Sequence, residues 1–154
     1  MSRGYFVFAQ GKEYIRMAYA LALSIKNTQE INSVCVAIDE KDTVPTEYAK
    51  VFDHVVRVRN VGLKDPMANE WQIWDLTPYK ETIHVEADML FTTNIDWWWQ
   101  DLQKHEIFFT SKVYDYRGHV AQSNFYRKHF DKMNLPKLYN GCLLYTSPSP
   151  RDRI

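Results

Sequence analysis

Short apolar runs rich in β-branched and aromatic residues alternate along this chain with stretches of helical period, and that alternation limits the folds open to it. "YFVFA" (Tyr5 to Ala9) reads as a buried strand, followed at once by Gly11. In "KEYIRMAYALALSIKNT", Ile15, Ala18, Ala22 and Ile25 recur at steps of three and four, which predicts a helix with one apolar face ending near Asn27. "SVCVAI" (Ser33 to Ile38) is a second buried strand running into the acidic turn "DEKD". "VPTEYAKVF" reads as a short helix opened by Pro45, and "HVVRV" (His54 to Val58) as a third strand. After the looser "NVGLKDPM", a short helix in "NEWQIWDL" breaks before Pro78, and "ETIHVEADMLF" reads as a fourth strand. "NIDWWWQDL", "EIFFTSKV" and "SNFYRKHFDKM" then read as helix, strand and helix. Strands joined to helices by short connections predict an α/β fold whose sheet is mostly parallel and flanked by helices.

The 154 residues, 45% of them apolar, are enough for one core. Nineteen basic side chains balance nineteen acidic ones, and no basic run occurs, so the electrostatic footprint of a nucleic-acid binder is missing. The apolar run near Met1 is interrupted by Gln10 and Lys12 and is too short for a signal segment or a transmembrane segment, which predicts a cytoplasmic location. Cys35 and Cys142 make neither a disulfide framework nor a zinc spacing, and Cys35 reads as a small core residue.

The end of the chain has a different character. "TSPSPRD" crowds Pro and Ser together as a disordered linker does. "CLLYTSPSPRD" (Cys142 to Asp152) also resembles, codon by codon, the translation of a transposon-end adapter used to build sequencing libraries. That resemblance implies that residues 142–154 are a non-native, disordered tail. Residues 1–141 are then the N-terminal part of a longer protein, truncated on its C-terminal side.

The stretch with most chemistry is "LTPYKETIHVEADMLF". A strand ending in Glu86-Ala87-Asp88 puts two carboxylates on one face, with Cα atoms about 6.6 Å apart. Such a pair suits Mg2+ or Mn2+, which take one or two protein carboxylates and leave positions for substrate phosphate. In open α/β sheets, ligands gather at the carboxyl ends of strands. A bare E-x-D also arises where one carboxylate is simply solvated and the other caps the turn before Thr92. His84 shares that face, but its Cα is about 13 Å from that of Asp88 along a regular strand, so it reads as packing or as support for a ligand.

Taken in order, these segments resemble the GT-A nucleotide-sugar glycosyltransferases, and within them glycosyltransferase family 8 with its glycogenin-like members. "YFVFAQGKEYIRMAYALALSIK" looks like the family's opening strand and helix, "LTPYKETIHV" like its Leu-Thr-x-Tyr approach, and "EADML" like its metal-binding D-x-D. "YNG" (Tyr139 to Gly141) looks like the turn that opens the next core strand. The resemblance implies a GT-A, Rossmann-like fold and metal-dependent transfer of a hexose from a nucleotide-sugar donor, a UDP-sugar, to an acceptor, with retention of configuration. It implies Asp88 as a direct metal ligand, with Glu86 contacting the ribose and helping to hold the metal. It also implies Tyr14 stacked on the base, with Ala9 and Gln10 on the loop that lines it. Two departures stand out: Glu86 replaces the family's first Asp, and Glu70 stands where glycogenin-like members carry a donor-binding Lys.

Other features read more simply. One or two of Trp97, Trp98 and Trp99 suit a sugar face, and core packing is the alternative. Asp115 and Arg117 suit a donor sugar or a charged turn. Two further functions share these features. A sugar nucleotidyltransferase uses the same kind of sheet but calls for a Gly-rich basic loop after the first strand, where only Gly11 and Lys12 stand. A catalytically degenerate sugar- or partner-binding domain fits the changes at Glu70 and Glu86.

Overall fold

The structure is a computed structural model that describes residues 2–59, 66–102, 107–109 and 143–146, with side chains for 2–59 and 69–100. β1 (Arg3–Phe8) leads into α1 (Lys12–Thr28), then β2 (Val34–Asp39), the single turn α2 (Thr46–Ala49) and β3 (His54–Val58). A 3-10 helix (Pro66–Gln72) passes directly into α3 (Ile73–Leu76), followed by β4 (Glu81–Val85), α4 (Trp98–Leu102), β5 (Ile107–Phe109) and β6 (Leu143–Thr146). The strands form one sheet in the order β3-β2-β1-β4-β6-β5. β1 to β4 are parallel, and β6 runs antiparallel to β4 and β5 on either side. The α/β class and the mostly parallel sheet expected from the sequence are therefore present. Leu143–Thr146, inside the stretch expected to be a disordered tail, pairs with β4 as β6. The segments around Asp115, "FYRKHFDK" and "YNG" lie outside the described residues.

Alternation along the strands builds two cores. Tyr5, Val7, Val34, Val36, Ile38, Ile83 and Val85 face α1, whose buried stripe is Ile15, Ala18, Leu21, Ala22 and Ile25. Phe6, Cys35, Ala37 and Val58 face the other way, onto Ile73 and Tyr79. A fully buried aliphatic or aromatic side chain contributes about 1.5–3 kcal/mol, so both layers are needed to hold the sheet. Cys35 is buried in this second layer, as the sequence suggested, and burial, then the charge of Asp53, pushes its thiol up to about 12. Gly4 is required by close approach, because a Cβ there would lie 2.4 Å from the Tyr79 ring.

Polar contacts tie the irregular segments to this frame. The Phe91 N–H donates to Ser24 Oγ at 2.9 Å. The buried Gln29 amide donates to Thr93 O and accepts from the Ile95 N–H, each at 2.8 Å. Asp96 accepts the backbone N–H groups of Glu30 and Ile31, at 2.6 and 3.2 Å. The chain leaving β4 is thereby laid along α1.

At the amino end of the sheet, Asp53 accepts from Lys26 Nζ at 2.6 Å and from the Val34 N–H at 2.7 Å, joining α1, β2 and the start of β3. Burial works to raise its pKa, but these hydrogen bonds and the Lys26 charge outweigh burial and hold the carboxyl below its usual value. A depressed folded-state pKa stabilises the fold above the unfolded value of about 3.9, and that stability is lost as pH falls through the folded value. Asp53→Asn is therefore expected to lower the urea midpoint at pH 6 and to bring it close to wild type at the acid end of a pH 2–6 series. A constant gap between the two proteins across that series would contradict this role.

Candidate active site

Because β2, β1 and β4 are adjacent and parallel, their carboxyl ends emerge side by side. At the end of β1 the buried Ala9 donates its N–H to Ala37 O at 2.8 Å, which fixes where the chain turns away. Gln10 Nε2 then donates to Asp39 Oδ1, at the end of β2, at 2.7 Å. The Gly11 N–H donates to Asp42 Oδ2 at 2.6 Å. Gly11 has φ 98° and ψ 154°, a conformation essentially confined to glycine, and α1 starts there without a side-chain cap of its own. The Asp42 carboxylate serves instead, a negative charge at the positive end of the helix. Tyr14, in the first turn, is 56% exposed and stands free of the core.

β4 ends at Val85, which corrects the expected strand geometry for the two carboxylates. The Met89 N–H donates to Glu86 O at 3.2 Å and closes a tight turn over Glu86-Ala87-Asp88. A turn, not strand alternation, keeps the two side chains together. Glu86 is half-buried and Asp88 exposed. Burial, followed by the charge of Asp88, raises the Glu86 pKa above the usual glutamate value. His84 is packing: it is buried on the opposite face from α1, edge-on to Phe8 at 5.5 Å, and burial lowers its pKa to about 4.

The fold resembles those of solved structures. The galactosyltransferase LgtC, in complex with donor and acceptor sugar analogs, superposes with a TM-score of 0.63 at 8% identity, over 98% of this chain and 60% of LgtC. The glycosyltransferase GlyE of Streptococcus pneumoniae TIGR4 gives 0.62 at 13% identity, over 96% of this chain and 34% of GlyE. The 4-diphosphocytidyl-2C-methyl-D-erythritol synthase of Anaerococcus prevotii DSM 20548 gives 0.50 at 13% identity, over 94% and 70%. This chain has the GT-A fold. It spans about 60% of the length of LgtC and about a third of GlyE. No protein-family model matches the sequence, and no curated protein sequence does either.

Of the residues singled out from the sequence, Ala9 and Gln10 stand on the loop after β1, Tyr14 in the first turn of α1, and Glu86 and Asp88 on the turn after the neighbouring β4. Among the described residues no group of three or more His, Cys, Asp and Glu side chains could hold a metal. The Glu86–Asp88 pair nevertheless fits a hard divalent ion: burial, then the nearby Asp88 charge, raises the Glu86 pKa, and a cation between the two would offset that cost. Trp99 is buried against Tyr5, with ring centroids 5.6 Å apart, while Trp97 is 60% exposed. Glu70 lies half-buried in the 3-10 helix.

Sequence reasoning missed Asp39, Asp42 and Arg57. The first two were visible only as an acidic turn, and Arg57 only as one polar residue in a strand. Among the described residues no helix is long and apolar enough to cross a membrane.

Gly11→Ala tests the loop. Open space surrounds the position, so any cost comes from the backbone, and a loss of about 1–3 kcal/mol is expected by urea unfolding. A variant as stable as wild type would show that the positive φ is not needed.

Proposed function

We propose that this chain is the donor-binding part of a glycosyltransferase that moves a hexose from a nucleotide sugar to an acceptor hydroxyl. The observation that carries this reading is that, in a GT-A fold, the Ala9–Gly11 loop with the start of α1 and the Glu86–Asp88 turn follow the carboxyl ends of adjacent parallel strands. Ala9 and Gln10 line the nucleotide base and Tyr14 stacks on it, an exposed aromatic next to the helix terminus. The donor is a UDP-sugar, in keeping with the family 8 resemblance, and residues 1–141 form this part while 142–154 are adapter-derived. A cytoplasmic location fits a nucleotide-sugar substrate.

Asp88 and Glu86 would hold Mn2+ or Mg2+, and that ion supplies neutralisation of the charge that develops on the departing diphosphate. In the transfer, the acceptor oxygen bonds to the anomeric carbon as the bond from that carbon to the diphosphate breaks, and the hydroxyl proton leaves with the diphosphate. Retention of configuration requires the acceptor to approach on the face the diphosphate leaves. Glu86 carries its charge on a longer arm than Asp, and the burial that raises its pKa makes a cation partner more favourable still.

The structural likeness to the 4-diphosphocytidyl-2C-methyl-D-erythritol synthase supports a second reading, nucleotidyl transfer on the same sheet. The loop after β1 offers only Gly11 and Lys12 for a triphosphate, which favours the glycosyltransferase. A third reading is a degenerate domain that binds a sugar or a partner without turnover. Binding of UDP to the chain, titrated with and without Mn2+, tests the proposal. Mn2+ is expected to tighten UDP binding, and Asp88→Ala to cost about tenfold or more in the presence of the ion, about 1.4 kcal/mol. UDP binding that ignores Mn2+, or an unaffected Asp88→Ala, would remove the metal role. Pyrophosphate release from a nucleoside triphosphate and a sugar phosphate would establish the second reading instead.

A further inference from the structure

Gln10 and Gly11 are held by two carboxylates, and both belong to the turn after β2. Asp39 Oδ1 receives the Gln10 amide at 2.7 Å, and Asp42 Oδ2 receives the Gly11 N–H at 2.6 Å. The turn itself has one backbone hydrogen bond, from the Asp42 N–H to Asp39 O at 3.1 Å. The turn, Asp39-Glu40-Lys41-Asp42, carries three acidic residues and one basic one.

A side chain from β3 ties this turn down. Arg57 pairs in register with Ile38, the residue before the turn, and its guanidinium reaches over the end of β2. Its Nη1 donates to Asp39 O at 2.8 Å, to Glu40 O at 3.2 Å and, at closer range, to Asp42 O. Three carbonyls of one turn converge on a single cationic group. Arg57 is itself exposed and fills no core space, so its role is to hold the turn.

We infer that Arg57 is the positioning residue of the nucleotide loop. By gathering the carbonyls of Asp39, Glu40 and Asp42 it fixes the two carboxylates that orient Gln10 and Gly11, and through Gly11 the first turn of α1 that carries Tyr14. The inference rests on the proposed reading of that loop as the donor site. It places a determinant of donor affinity on β3, which itself presents nothing to the nucleotide.

Arg57→Lys and Arg57→Gln separate the explanations. All three bonds leave one nitrogen, Nη1, and a Lys ammonium keeps the charge but ends one atom short of that position, so a role that depends on reach predicts that both variants weaken UDP binding, each by about tenfold. Both are also expected to move the backbone amide resonance of Gly11 in the absence of any ligand. Ser33→Ala serves as a control. It removes the 2.9 Å Ser33–Tyr79 hydrogen bond at the opposite end of the sheet and is expected to lower stability without changing UDP affinity or the Gly11 resonance. Wild-type affinity in Arg57→Lys, or an unmoved Gly11 amide in both Arg57 variants, overturns the inference. Wild-type protein that binds no UDP overturns the donor-site reading separately, and the Gly11 resonance then still decides whether Arg57 sets the loop.

Discussion

β1 is hydrogen-bonded on both sides, to β2 and to β4, and both partners run parallel to it. The registers Phe6 to Cys35 and Phe6 to His84 bring the three carboxyl ends out along one edge of the sheet. Parallel neighbours cannot be joined by a tight hairpin, so the chain must cross over the sheet between them. α1 makes the first crossover, and the 3-10 helix with α3 precedes β4 on the other face. Two buried layers follow from that, and so does a shared edge where the loops after β1, β2 and β4 emerge together. The candidate site is a consequence of the central ladder.

Polar chemistry divides between the two edges of the sheet. At the amino edge, Arg3–Glu81, Lys26–Asp53 and Ser33–Tyr79 satisfy one another and stabilise the fold. At the carboxyl edge, burial and then the Asp88 charge raise the Glu86 pKa, Gly11 adopts a backbone conformation that only glycine takes easily, and an exposed tyrosine stands in the helix turn that follows it. A strained glycine and a carboxyl with a raised pKa at that edge are the features on which the proposed donor site rests.

Much of the frame was legible in the sequence, because it rests on local period. Ile15, Ala18, Ala22 and Ile25 do form the buried face of α1, and "HVVRV" spans the residues of β3. What depended on distant partners was not legible. β1 begins at Arg3 and not at Tyr5, because Arg3 and Gly4 pair with Glu81 and Thr82. The alternation of "HVEAD" suggests that the strand continues, yet a backbone hydrogen bond from Met89 to Glu86 ends it at Val85. Ala9, Gln10, Glu86 and Asp88 follow the carboxyl ends of β1 and β4, and Tyr14 lies in the first turn of α1. Asp39, Asp42 and Arg57 escaped notice because their contacts join positions 15 to 31 residues apart, and no local pattern records them.

The central claim is that the carboxyl ends of β1 and β4 together form a nucleotide site. An amide-resolved NMR titration of the chain with UDP and Mg2+ tests it most directly. The account predicts chemical-shift changes concentrated at Ala9 to Gly11 and at Glu86 to Asp88, with Ser33, Asp53 and Glu81 at the opposite edge unchanged. Changes centred on that opposite edge, or none at either loop at saturating nucleotide, would contradict it.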